Sequence, residues 1–308
     1  MQEKTQFLKG FGMLSRILAV AFSSFVTILS TSIPLILFYP ELNNINIFIL
    51  IGILLLGSFL THGLLTHIIN DLADFKSGTD AHSPGMLSGG SRVIQDKVFT
   101  YAQLKFFGVI LAAIMAVAAV LFFIFGYTVL GILTILGMWG AYSYSMRPFS
   151  FAYKPLLGEW LSLFPSMLAL GLAAPWIMLD SIPVWAWFNA SINAIWCMAW
   201  VMVHHIPDMD ADQKARPVKN TTVLYYANRW GRRAAHWPAV LYLVIIGVLA
   251  VIMTSMRPLA GLLTLILIIV TILMLFDTDK SDVEAVTETE KKMLILAALT
   301  ALMLGFLI

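Results

Sequence analysis

Two short acidic runs are where this sequence could do chemistry. The first reads Asn70-Asp71-Leu72-Ala73-Asp74-Phe75-Lys76-Ser77-Gly78-Thr79-Asp80, and the second Asp208-Met209-Asp210-Ala211-Asp212-Gln213-Lys214. In each, two oxygen-bearing side chains stand four apart, Asn70 with Asp74 and Asp208 with Asp212, so a helical backbone sets both on one face. The same spacing turns Asp71 and Asp210 away from that face. Acids gathered at a helix C-terminus repel one another and oppose the negative end of the helix dipole. A bound cation relieves both. Mg2+ takes oxygen ligands and commonly combines one or two carboxylates with phosphate oxygens and water. Two such clusters facing each other could hold a diphosphate between metal ions. The plain alternative is solvated loop acids or helix stops. Their matching positions, shared side and following basic residues favour the metal reading.

Lys76, Arg92 and Lys97 follow the first run, and Lys214, Arg216 and Lys219 follow the second. Lysine and arginine are the usual partners of a diphosphate, although anionic lipid headgroups account for such residues equally well. Arg92 lies in Ser88-Gly89-Gly90-Ser91-Arg92, a turn able to offer backbone N–H groups to an anion. Phe75, Tyr142, Tyr144, Tyr153 and Trp160 could face a cation with their rings, an interfacial aromatic belt being their commoner role. His62, His67, His204 and His205 lie near the same polar end, with no spacing that suits zinc. Glu159 could anchor a basic loop residue or approach a substrate. The mixed-charge stretch 277–290 reads as a solvated connection with no catalytic role.

These groups need elements to position them, and composition says which. Of 308 residues, 60% are hydrophobic and 12% charged, a balance that excludes an ordinary soluble domain. A bilayer-spanning helix needs roughly 20 mainly apolar residues. Nine apolar segments of about that order recur, at 17–39, 45–69, 104–125, 127–144, 160–179, 184–203, 238–256, 259–276 and 293–308, the last being short. The expected fold is therefore all-α and polytopic, a single membrane domain over 1–308. The first segment is too long for a cleavable signal and lacks a small-residue cleavage pattern after it. With this topology, all of the 19 Lys and Arg residues except Arg257 fall on one side, which the positive-inside bias makes cytoplasmic. The N-terminus is then inside, and both acidic runs open the two long cytoplasmic loops, 70–100 and 207–236. Net charge is +2, and Cys197 is the sole cysteine, so no intrachain disulfide can form. No nucleic-acid partner is expected.

Taken together, these motifs resemble the UbiA superfamily of intramembrane prenyltransferases. Asn70-Asp71-x-x-Asp74 followed by Gly78 and Asp80 is similar to that family's first motif, and Asp208-x-x-x-Asp212 with Lys214 to its second. Tyr142-Ser143 through Pro148 to Tyr153-Lys154 and Gly158-Glu159 is similar to the loop between its fourth and fifth spans. Gly78-x-Asp80 and the Ser-Gly-Gly-Ser segment are nearest to the 1,4-dihydroxy-2-naphthoate polyprenyltransferase branch. The sequence departs from the pattern at His204-His205, where asparagine is expected at one position, and after Lys214, where Lys219-Asn220-Thr221 stands for a shorter basic run.

The resemblance implies helices around a central, lipid-accessible cavity at the cytoplasmic face of the cell membrane. It implies Mg2+ held by Asn70, Asp71, Asp74, Asp80, Asp208 and Asp212, with Asn70, Asp74 and Asp208 catalytic. Lys76, Arg92, Lys214, Tyr142, Tyr153 and Lys154 would bind substrate. The partners would be a prenyl diphosphate, an aromatic quinone precursor and membrane lipid, in a route such as menaquinone synthesis. Rival readings on the same scaffold transfer to haem, a lipid or a sugar phosphate, or cyclise the chain. An ion-coupled transporter is a further rival, disfavoured because coupling acids usually lie near the bilayer midplane.

Overall fold

A computed structural model describes residues 10–84 and 87–308, and among these every regular element is helical. The long helices are α1 (Gly10–Phe38), α2 (Asn44–Ser77), α3 (Tyr101–Ile124), α4 (Thr128–Ser145), α5 (Glu159–Met178) and α6 (Val184–His204). Two short helices follow, α7 (Met209–Lys214) and α8 (Thr222–Trp230). Then come α9 (Arg232–Thr254), α10 (Pro258–Asp277) and α11 (Val283–Phe306). Seven of them, α1, α2, α3, α5, α6, α9 and α10, are long and apolar enough to cross a membrane. The protein is a multi-pass membrane protein. All nine apolar segments of the sequence fall on helices; α4 and α11 are the two outside that set of seven.

Burial follows the membrane logic, in which a helix that is apolar all round either faces lipid or is enclosed by other helices. α3 shows Phe106, Val109, Ile114, Val117 and Val120 on its outer surface. α6 is the enclosed one: Ile192, Trp196, Met198 and Met202 are fully buried, packed by α5, α9 and α11. At the far end of the bundle, Arg257 is itself buried. Its guanidinium donates to the carbonyls of Leu304 and Leu307 at the end of α11 and to Oδ1 of Asn189 on α6, at 2.6–2.8 Å. The arginine thus satisfies carbonyls that the last turn of a helix leaves without partners.

Several boundaries differ from the sequence reading. α2 continues to Ser77, so Asn70, Asp71 and Asp74 are helical, and the loop begins at Gly78. Gly78 ends the helix with φ of 79°, a left-handed conformation that glycine adopts without strain. The second loop contains α7 and α8, the latter capped by the Thr221 hydroxyl accepting from the Leu224 N–H. The stretch 277–290 is not a plain connection. α11 starts at Val283, capped by Asp282, and carries Glu290 into the interior. Its charged first turns had masked the helix.

Three helices widen into a π-helical turn, at Ala21–Phe25 in α1, Phe59–Thr66 in α2 and Glu159–Leu163 in α5. Such turns interrupt the regular hydrogen-bond ladder and frequently accompany functional sites.

Candidate active site

Ser24, Thr61, His62 and Ser162, all on those widened turns, line one cavity of about 360 Å³. One end of it is apolar, with Leu54, Met115, Phe122, Leu133 and Leu170 on the wall. The other end is polar and includes Asn70, Asp74, Asp80, Asp208 and Lys219, drawn from both acidic runs and the loop that follows each. Ile53 and Leu56 line the cavity and are also exposed on the outer flank, at 41% and 60%, so the cavity reaches the side of the bundle.

The polar end is assembled by hydrogen bonds across the two runs. Asn70 Nδ2 donates to Asp74 Oδ2 at 3.0 Å, as the four-residue spacing requires, and Ser145 of α4 donates to Asn70 Oδ1. Lys219 Nζ bridges to both carboxylate oxygens of Asp74 at 2.8 and 2.9 Å, while its backbone N–H donates to the Asp212 carbonyl. Both partners of this pair are almost completely buried. A main-chain bond from Arg216 N–H to the Ser77 carbonyl ties the second loop to the end of α2. Two segments far apart in sequence therefore meet at one point.

The Gly/Ser turn is the third component. Gly89 N–H donates to Asp208 Oδ2, and Ser83 Oγ donates to Oδ1 of the same carboxylate. Ser91 donates to Asp71 through both its N–H and its hydroxyl. A Cβ at Gly90 would come within about 3.0–3.1 Å of the carboxylate oxygens of Asp71 and Asp80, and Gly90 has φ of 72°, so glycine is demanded twice. The turn does present N–H groups to anions, as its composition suggested. Two of those N–H groups, on Gly89 and Ser91, go to the protein's own acids.

Burial reshapes the charges here. Desolvation, with Asp74 and Asp71 adding to it, pushes the Asp80 carboxyl up to about 8 against the opposition of Lys219 and Gln95. Asp212 is likewise held well above the ordinary carboxylate range by burial, Asp208 and Asp74 adding to the shift. Burial works against the charge of Lys219, yet Asp74 and Asp212 outweigh it and keep the ammonium firmly protonated.

Not every candidate reaches the cavity. Asp71 and Asp212 are buried beside it: Asp71 is engaged by Ser91, and Asp212 accepts from the Thr221 hydroxyl at 3.3 Å. Asp210 pairs with Arg232 at the surface. Lys76 lies over the Tyr101 ring, Lys154 over Phe151, and Arg92 beside Asp96. Lys214 is exposed, and Tyr142 donates from its hydroxyl to the Arg147 carbonyl. Tyr153 is set back, its ring 5.9 Å from Lys219 Nζ. None of these nine residues lines the cavity.

Among the described residues, no three His, Cys, Asp or Glu side chains are disposed to hold a metal ion by themselves. Magnesium leaves most of its coordination to substrate phosphates and water. Asp80 Oδ1 is buried with no hydrogen-bond partner, an oxygen left over for a cation, and Asn70, Asp74 and Asp208 share the same cavity wall. The donor set fits.

The model of the UbiA prenyltransferase family matches residues 25–288 of the chain. The protein belongs to the UbiA prenyltransferase family. Comparison with curated proteins and with solved structures returned no match. Membership makes it a membrane prenyltransferase by family, and the matched stretch spans both acidic runs and the cavity walls. Against that background, sequence reasoning left Lys219 as one basic residue among several, although Lys219-Asn220-Thr221 had been singled out. Burial separates it from the rest. Arg16, on the cavity wall, and Glu290, behind His204, carried no sequence signal beyond their charge.

Proposed function

We propose that the protein transfers a polyprenyl group from an allylic prenyl diphosphate to an aromatic quinone precursor, at the cytoplasmic face of the cell membrane and with Mg2+. The observation that carries this reading is that Asn70, Asp74, Asp80, Asp208 and Lys219 line the same cavity as a long apolar wall. A diphosphate and an isoprenoid tail make those two demands. The lean towards 1,4-dihydroxy-2-naphthoate, and so menaquinone synthesis, rests on the branch-like Gly78-x-Asp80 and Gly89-Gly90, of which Asp80, Gly89 and Gly90 line the cavity.

Asn70, Asp74, Asp80 and Asp208 would hold the metal, with Asp71 and Asp212 supporting them from behind. Bound Mg2+ would neutralise charge developing on the leaving diphosphate. Lys219 is a cation of the protein's own on this wall, and a diphosphate would draw its ammonium from Asp74. The ring of Tyr153 stands beside that ammonium. Lys76, Arg92, Lys214, Lys154 and Tyr142, which do not line the cavity, would meet the diphosphate or anionic headgroups as they approach. The apolar wall keeps water from an allylic cation, which water would quench.

Purified protein incubated with radiolabelled prenyl diphosphates and a panel of aromatic acceptors, with and without Mg2+, tests this. Transfer should require the metal. Asp74→Ala and Asp208→Ala should each abolish it in protein that still folds, and full activity in either would remove that carboxylate from the site.

A further inference from the structure

The cavity carries further polar groups besides the carboxylates and Lys219. Arg16, His62, His67, His204 and His205 all lie on its wall. His62 is held by Ser24, His67 by the Gly63 carbonyl and His205 by the Tyr144 hydroxyl. His204 differs from them in being backed by a carboxylate: its Nδ1 lies 2.8 Å from Oε1 of Glu290. Glu290 is completely buried, and its second oxygen has no hydrogen-bond partner. The Trp200 ring stacks on the imidazole at 4.8 Å and its Nε1 donates to the Glu290 carbonyl, which fixes the pair in place.

With Nδ1–H donating to Glu290, the lone pair sits on Nε2. Nε2 is 3.3 Å from the guanidinium of Arg16. A histidine oriented by a buried carboxylate, with its other nitrogen on the cavity wall against an arginine, has the build of a general base once a substrate takes the arginine's place.

Prenyl transfer to an aromatic ring requires such a group. The allylic C–O bond breaks and its electron pair leaves with the diphosphate. A π pair of the ring then forms the new C–C bond, and the attacked ring carbon must lose its proton so that the C–H pair restores aromaticity. We propose that Nε2 of His204 accepts this proton, with Glu290 as the positioning residue that orients the ring and stabilises the imidazolium. The inference rests on the prenyl-transfer reading above. The Arg16 guanidinium occupies the Nε2 side of the imidazole. An acceptor bearing a carboxylate would pair with Arg16 and draw its guanidinium away from Nε2, so the base is freed when its substrate is present.

The test uses the full-length protein, a radiolabelled prenyl diphosphate and an aromatic acceptor that the unaltered protein prenylates. His204→Gln should lower kcat by about 100-fold or more with KM for the prenyl diphosphate unchanged. His204→Ala should be partly restored by added imidazole, and Glu290→Gln should lower kcat less and gain nothing from imidazole. Unfolding temperatures of all three monitor folding, and should His204→Ala fail to fold, the kcat and KM of His204→Gln decide. Retained kcat in His204→Gln overturns the proposal and leaves the departing diphosphate as the base. A loss that tracks a raised KM, or one that imidazole does not relieve in folded His204→Ala, overturns it in favour of a structural role. Absence of transfer by the unaltered protein overturns the prenyl-transfer reading, and this proposal with it.

Discussion

Lys219 and Asp74 form a buried pair in which each charge is tolerable because of the other. Removing one partner of such a pair leaves an uncompensated charge and typically destabilises by about 3–5 kcal/mol. Lys219→Met and Asp74→Asn should therefore each lower stability, and the double variant should lose less than the sum, measured by reversible unfolding in mixed micelles. All three should be inactive. Asp80 offers a pH test. Its carboxyl is raised from an ordinary 3.8 to about 8, so between those values the folded protein binds the extra proton. Stability must then fall as pH rises through that window. Asp80→Asn abolishes this contribution, and its melting temperature relative to the parent should rise from pH 5 to pH 8. A divalent cation at pH 7 should displace the Asp80 proton, which calorimetry in buffers of different ionisation enthalpy would detect.

At the scale of elements, Arg257 joins α10 to the end of α11 and to α6 through three charge-assisted bonds. Each such bond contributes about 1.5–3 kcal/mol. Arg257→Met should lower the melting temperature markedly while leaving kcat nearly unchanged, and Arg257→Lys should recover little, because lysine lacks the planar fork. Apolar run length made the helices legible in the sequence, since a bilayer demands it of every span. α11 was legible in its second half alone, because Glu284, Glu288 and Glu290 read as solvent-facing until the partner of Glu290 is known. The acidic runs were legible through their spacing, which fixes a shared face locally. The placements of Lys219, Arg16 and His204 were not, for these depend on which distant segment lies against them. The π-helical turns were equally hidden: they carry no composition of their own, yet each supplies part of the cavity wall. The glycines divide in the same way. Gly171 packs against Ala190 at a distance no Cβ tolerates, whereas Gly57 borders open cavity. Gly57→Leu should fold normally but fill space, lowering kcat/KM for long prenyl donors more than for geranyl diphosphate in a chain-length series.

For the molecule as a whole, the charge distribution and the position of the polar end agree: Lys76, Arg92, Lys214 and Lys154 crowd the loops around the carboxylates, while Arg257 is internal at the far end. The binding chamber is not sealed from its surroundings, since Ile53 and Leu56 belong both to its lining and to the outer flank. That doorway has a kinetic consequence. An oily donor and its oilier product can trade places with the bilayer without ever crossing water. Supply is then two-dimensional: the catalyst samples how crowded the leaflet is with substrate, not how much has been added to the tube, and inert lipid becomes a diluent that slows turnover.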